Sequence, residues 1–179
     1  LKLLLHTCCG PCTIYPLDKI REEAMDVTGY YYNPNIHPYS EWLKRRETLE
    51  NYAREKDFRL IVDEDYPLEE FLRSVVHRES VRCSYCYAMR LRRAAKVARK
   101  GKFDCFSSTL LVSPFQKHDL IKEIGEAVAK ETGIPFYYAD FRPGYKEAAS
   151  RSRELGMYRQ QYCGCIYSEK ERYYKKPGK

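Results

Sequence analysis

Short apolar runs alternate with longer helical stripes along most of the chain. Leu1 to His6 is mostly apolar, too short for a helix, and reads as a buried strand. A loop of cysteines follows, and then a predicted helix over Ile14 to Ala24 with Pro16 in its first turn. Val27 to Tyr32 is the second predicted strand, closed by the turn-forming Asn33-Pro34-Asn35. Ser40 is the expected N-cap of a helix over Glu41 to Lys56, whose charges follow a helical pattern. Arg59 to Val62 predicts a short third strand, and Tyr66 to Val76 a helix with Pro67 in its first turn. From Cys83 a long basic helix runs to about Lys100, with Gly101 as its stop. Phe103 to Ser107 is the fourth predicted strand. Leu120, Ile121, Ile124 and Val128 share one face of a helix over Lys117 to Thr132, ended by Gly133. Phe136 to Ala139 is the last predicted strand, and the remainder reads as helical around a cysteine turn.

Repeated strand–helix units predict an α/β fold of three layers, a mostly parallel sheet covered by helices. At 179 residues and 44% apolar, the chain suits one domain over 1–179, with a frayed tail at 175–179. In such sheets ligands collect at the carboxyl ends of strands, near a topological switch point. Those ends carry His6-Thr7-Cys8-Cys9, Asn33-Pro34-Asn35, Ser107-Ser108-Thr109 and Asp140-Phe141-Arg142. Asp140 is a candidate metal ligand or proton donor, and equally a residue of a surface ion pair. His6 reads more readily as a hydrogen-bonded core histidine than as a ligand.

The cysteines add the chemistry. Seven of eight fall into three groups: Cys8, Cys9 and Cys12; Cys83 and Cys86; Cys163 and Cys165. Cys105 stands alone inside a strand and reads as core. Close spacing of this kind is poor geometry for mutual disulfides but brings several thiolates to one centre. The first group lies between a strand and a helix, where free N–H groups and the helix dipole favour thiolates. Cys83-Ser84-Tyr85-Cys86 offers two thiolates from one turn; with Cys8 and Cys9 it makes four sulfur ligands. By count alone, four thiolates suit zinc and a [4Fe–4S] cluster equally. Gly164 lets Cys163 and Cys165 approach one metal or form a readily reduced disulfide.

Net charge +7 and a pI of 8.9 favour an anionic partner. Seventeen tyrosines suit stacking on RNA bases, although any single tyrosine is more simply explained by packing at the edge of the core. Lys44-Arg45-Arg46 and the run Arg90 to Lys102 are candidate phosphate contacts, Arg90 and Arg93 among them. Arg142, Tyr158 and Arg159 are further candidate contacts to the substrate or its RNA. No dinucleotide fingerprint or Walker phosphate loop is present. No apolar run approaches the ~20 residues of a membrane span, and no signal peptide precedes the first strand, so the expectation is a cytoplasmic protein.

Taken together, five ordered motifs carry a resemblance. They are His6-Thr7-Cys8-Cys9-Gly10-Pro11-Cys12, Arg82-Cys83-Ser84-Tyr85-Cys86-Tyr87, Ser107-Ser108-Thr109-Leu110, Asp140-Phe141-Arg142 and Tyr158-Arg159-Gln160-Gln161-Tyr162-Cys163-Gly164-Cys165. The combination resembles the QueH family of epoxyqueuosine reductases, over nearly the whole chain. The resemblance implies the adenine-nucleotide alpha-hydrolase-like fold, here with thiols in place of the phosphate loop of its ATP-using relatives. It implies the two-electron removal of the epoxide oxygen from epoxyqueuosine at the tRNA wobble position, the last step of queuosine synthesis, without cobalamin. It tips the metal choice toward a [4Fe–4S] cluster on Cys8, Cys9, Cys83 and Cys86, with Cys12 as an alternative ligand. Cys163 and Cys165 then form either a redox pair or the ligands of a second, mononuclear iron, with Asp140 as the acid. The implied partners are tRNA with epoxyqueuosine in its anticodon and an external one-electron donor of the ferredoxin or flavodoxin class, with no membrane.

Two other readings of the same residues stay distinct. A zinc-stabilised RNA-binding module without catalysis uses the same four thiolates and carries no electrons. A thioredoxin-like oxidoreductase needs only Cys9-Gly10-Pro11-Cys12 and leaves the other cysteine groups unexplained.

Overall fold

A computed structural model describes residues 1–177. Four strands, β1 (Lys2–Thr7), β2 (Asp26–Tyr31), β3 (Leu60–Val62) and β4 (Cys105–Ser108), form one parallel sheet in the order β3-β2-β1-β4. Leu3, Leu4 and Leu5 of β1 are wholly buried, so the central strand is covered on both faces, as its apolar run requires. Helices α1 (Gly10–Glu22), α2 (Tyr39–Glu55) and α6 (Tyr145–Glu154) pack together; α3 (Leu68–Val75), α4 (Arg82–Lys100) and α5 (His118–Thr132) form a second group. A last helix, α7 (Ile166–Tyr173), follows the third cysteine group. From β1 the chain winds first to β2 on one side and later to β4 on the other. The switch point therefore lies between β1 and β4, at their carboxyl ends.

Several boundaries differ from expectation. α1 starts at Gly10 rather than Ile14, because Cys9 caps it: the Cys9 Sγ accepts the Cys12 N–H at 3.4 Å. Pro16 therefore lies inside the helix, where its missing N–H cannot reach the Cys12 carbonyl. Pro38 rather than Ser40 precedes α2, with no side-chain cap, and Pro67 stands just before α3 instead of in its first turn. Gly101 ends α4 at a negative φ, and Lys102 takes the left-handed position. Gly133, at φ 73°, ends α5 as expected.

The fifth predicted strand is reduced to one bridge. Phe106 donates its N–H to the Pro135 carbonyl at 3.0 Å and accepts from Tyr137 N–H at 2.8 Å, and pairing stops there. Lys175, Lys176 and Pro177 are exposed and outside any helix or strand; the rest of the expected frayed tail lies outside the described residues. No helix among the described residues is long and apolar enough to cross a membrane.

Candidate metal and redox site

The first cysteine group sits at the switch point. Cys8 leaves β1 and donates its N–H to Thr109 Oγ1 at 3.1 Å; the same hydroxyl lies 3.3 Å from the Cys8 Sγ. Cys8 and Cys9 sulfurs are 3.8 Å apart, and the sulfurs of Cys8, Cys9 and Cys12 all lie within 4.8 Å of one another. Gln160, from the segment before α7, donates to Cys9 Sγ at 3.1 Å and approaches Cys12 Sγ at 3.6 Å. Hydrogen bonds from the Cys12 and Cys9 thiols hold the Cys8 thiol well below its ordinary range, with help from Arg90 and Thr109. Burial pushes Cys9 up, and the contact with Cys8 does the same to Cys12.

The second and third groups face each other across a small cavity of about 40 Å³, lined by Cys83, Cys86, Cys163 and Cys165. Cys165 is buried and caps α7, its Sγ accepting the Ser168 N–H at 3.4 Å. The Cys163 thiol, Ser168 and Arg82 together bring the Cys165 thiol down to about 5. Cys163 itself is exposed. The turn between them needs glycine: Gly164 has φ +136°, and a Cβ there would lie 3.1 Å from Ile36 and 3.3 Å from Arg45. Arg45, buried and paired with Glu41 at 2.8 Å, grips this turn through the Tyr162 and Cys163 carbonyls, both at 3.0 Å. His37 grips it from the other side, its N–H on Gly164 O at 2.8 Å and its ring on Ile166 N at 3.0 Å.

Arg90 joins the two regions. It is 3% exposed, yet no carboxylate pairs with it among the described residues. Its Nη1 lies 3.6 Å from Cys86 Sγ and its Nη2 donates to Asn33 Oδ1 at 2.8 Å, while the buried Nε has no partner. A buried guanidinium without a carboxylate carries a large desolvation cost. Beside thiols, that charge is suited to an anionic sulfur centre. A larger cavity of about 480 Å³ opens from this point to the surface, with Cys8, Cys12, Cys163, Arg90, Tyr162 and Arg159 among its walls and no Asp or Glu. The two cavities share Arg90, Gln116 and Cys163. Six of the cysteines and the unpaired Arg90 thus line two adjoining cavities, with Cys9 buried behind Cys8 and Cys12.

Other sequence candidates fall elsewhere. Asp140 and Arg142 line neither cavity; they pair with each other at 2.6 Å, and Arg142 pushes the Asp140 carboxyl down to about 2. A carboxylate held ionised in this way is a poor proton donor. Arg93 points away from the sulfurs, bound to Asp63 at 2.9 Å beside the ring of Tyr32. The basic helix is also less free than its sequence suggests: Arg92 pairs with Glu131 on α5, and Arg90 is buried. Tyr158 reaches Glu41 Oε2 at 2.6 Å, and Arg159 lines the large cavity. His6 is a core residue, bonded to Ser108 Oγ at 2.9 Å and to the Tyr32 carbonyl at 3.1 Å; burial, then Arg90, brings it down to about 3. Cys105 is buried core. Thr109, Gln160, Arg45 and Asn33 lie in stretches the sequence singled out, but their bonds to the sulfurs, to the cysteine turn and to Arg90 join distant segments and carry no sequence signal of their own.

The sulfur donors, the absence of carboxylates and the unpaired cation fit a thiolate metal centre. The 3.8 Å between Cys8 and Cys9 suits two sulfurs on a single ion with metal–sulfur bonds of about 2.3 Å; ligating separate irons of a cluster would require the two sulfurs to move apart. The trio alone can hold a metal.

Comparison with known proteins places this arrangement in a family. The family model for epoxyqueuosine reductase QueH matches residues 3–171. The protein named epoxyqueuosine reductase QueH of Dehalococcoides mccartyi is 43% identical over 172 residues, covering 96% of this chain and 94% of that one. Its counterpart in Thermotoga maritima is 36% identical over 180 residues, covering 95% and 91%. A solved structure described as a predicted subunit of tRNA methyltransferase from Methanocaldococcus jannaschii shares the fold alone. Its TM-score is 0.57 at 10% identity, over 86% of this chain and 75% of that one. On this evidence of sequence, the chain belongs to the epoxyqueuosine reductase QueH family.

Proposed function

We propose that this chain reduces epoxyqueuosine to queuosine at the wobble position of tRNA. The overall change consumes two electrons and two protons: both C–O bonds of the epoxide break, an alkene forms between the two carbons, and the oxygen leaves as water. The electrons come from an external one-electron donor of the ferredoxin or flavodoxin class. The observation that carries the reading is the gathering of three cysteine groups around two adjoining cavities that share Arg90 and Cys163 and have no carboxylate in their walls.

Cys8, Cys9, Cys83 and Cys86 are the proposed ligands of a [4Fe–4S] cluster, with Cys12 as the alternative fourth sulfur. When bound, such a cluster supplies one-electron chemistry at low potential. Thr109 and Gln160 donate toward the sulfurs of Cys8 and Cys9, and Arg90 offsets the negative charge of the thiolates. Cys163 and Cys165 are proposed as a redox pair or as ligands of a second, mononuclear iron. Cys163 lines both cavities and Cys165 the small one, so the pair stands between Cys83 and Cys86 and the space for the nucleoside, which Cys8 and Cys12 border directly. The cavity, about 480 Å³, is of a size to take one modified nucleoside, and its uncharged walls apart from arginine suit a ligand carrying phosphate. Developing negative charge on the departing oxygen is favoured by the guanidinium-lined, acid-free wall.

Anaerobic purification followed by iron, zinc and acid-labile sulfide analysis tests the cofactor. The reading expects a brown protein with about four irons and four sulfides per chain, bleached by dithionite. A colourless protein holding only zinc, even from anaerobic cells, overturns it in favour of a structural zinc module.

A further inference from the structure

The most exposed large apolar side chain among the described residues is Phe115, at 82%, and it stands at the mouth of the sulfur-lined cavity. It does not hang on a loose loop. Phe115 N–H donates to Ser113 Oγ at 3.2 Å, and Gln116 N–H to the Ser113 carbonyl at 3.3 Å. The buried Tyr87 anchors the next two residues, donating its hydroxyl hydrogen to Gln116 Oε1 at 2.6 Å and accepting Lys117 N–H at 3.1 Å. Tyr145 meets the Phe115 ring edge-on, with centroids 5.7 Å apart and planes at 79°, which leaves a ring face free. The turn thus holds an aromatic ring out in water, against the hydrophobic effect.

Its neighbours say what it is for. Arg159 and Arg172 line the same cavity, and neither side chain pairs with a carboxylate among the described residues. A ring with a free face, on a cavity that also carries two unpaired guanidinium groups, matches a single base with its phosphates. A protein partner would want a contiguous patch of many residues instead.

We infer that Phe115 is a stacking platform for an unpaired anticodon-loop base next to the nucleotide that enters the cavity, with Arg159 and Arg172 on the adjoining phosphates. This inference rests on the RNA-substrate reading above and adds to it the residue that positions the loop. It also moves the RNA surface from the basic face of α4, where Arg92 and Arg93 are already paired, to the cavity rim.

The test is the affinity of anaerobically prepared holoenzyme for a labelled, synthetic anticodon stem-loop RNA with guanine at the wobble position, at fixed salt. Phe115→Ala and Phe115→Leu should bind about fivefold to a hundredfold more weakly, the usual loss for one base–aromatic stack. Phe115→Trp should stay within about twofold of wild type, since it keeps a π face. Iron content and thermal midpoint, measured alongside, should match wild type in all three variants. Unchanged affinity in Phe115→Ala overturns the inference, as does a Phe115→Leu variant that binds like Phe115→Trp. Unchanged RNA affinity with slower reduction by a donor protein also overturns it and assigns the ring to that protein. Because binding is read without turnover, failure here is distinct from failure of the reductase reading, which would show as wild-type holoenzyme that leaves the epoxide intact.

Discussion

Thr109 and Cys8 hydrogen-bond across the switch point of the sheet, Cys8 N–H to Thr109 Oγ1 at 3.1 Å and the hydroxyl to Cys8 Sγ at 3.3 Å. One side chain just past β4 thereby fixes both the backbone and the sulfur of the residue that follows β1. Replacing it with valine keeps the shape and removes the hydroxyl. Thr109→Val should lose about 1 kcal/mol of stability. It should also shift the reduction potential of the loaded protein to more negative values, since hydrogen bonds to sulfur stabilise the reduced centre. Denaturant unfolding and an anaerobic redox titration read the two effects separately.

Arg90 places a buried charge without a carboxylate partner 3.6 Å from the Cys86 sulfur. Arg90→Met should retain the fold but release metal to a chelator about tenfold to a hundredfold more readily, the usual loss when a group supporting the ligands is removed. Arg90→Lys should fall between, keeping the charge without the planar fork that reaches both Cys86 and Asn33. Chelator competition followed by absorbance checks the order. Equal retention in all three proteins would mean that Arg90 serves the fold alone.

The third cysteine group depends on a backbone only glycine adopts readily. Gly164→Ala, at φ +136° and with Ile36 and Arg45 against the new methyl, should cost about 1–3 kcal/mol. Iron at the first two groups should be kept. Unfolding curves with iron counts separate local disruption from global loss.

Asp140 gives a pH test with a definite sign. Its carboxyl lies at about 2, below its ordinary 3.8, through the hydrogen bond and charge of Arg142. Its stabilising contribution is therefore complete above about pH 4 and is lost as pH falls toward 2. With both side chains about 40% exposed it is worth less than about 1 kcal/mol. Between pH 6 and 9 Asp140 does not titrate, so Asp140→Asn should stay within about threefold of wild-type turnover with an unchanged pH profile. A hundredfold loss with a new pH limb would place Asp140 at the reacting centre.

The parts of this design that show in the sequence are those with local causes. The apolar run of β1, the stripe of α5 with Gly133 at its end, and the cysteine spacings are each fixed within a few residues, and the fold brings the three groups to one side as the strand-end rule requires. What stayed hidden depends on distant partners. Arg90 reads as one more charge on a basic helix, since burial of an unpaired arginine is rare enough to be a poor expectation. Arg92 and Arg93 read as free because Glu131 and Asp63 lie on other elements. Phe136 to Ala139 has the composition of a strand, but beyond the bridge at Phe106 no neighbouring residue continues the ladder. Pro16 misled in the opposite direction: the helix begins earlier because a cysteine sulfur, not a typical capping oxygen, accepts the Cys12 N–H in its first turn.

The decisive measurement is the fate of the epoxide. Iron-loaded, dithionite-reduced wild-type protein is incubated under argon with tRNA carrying epoxyqueuosine, and the digested nucleosides are weighed by mass spectrometry. Appearance of queuosine, lighter than the starting nucleoside by one oxygen atom, and its loss in a Cys8→Ala variant, is the result the proposed reduction requires. Unchanged epoxyqueuosine with fully loaded, reduced protein would contradict it.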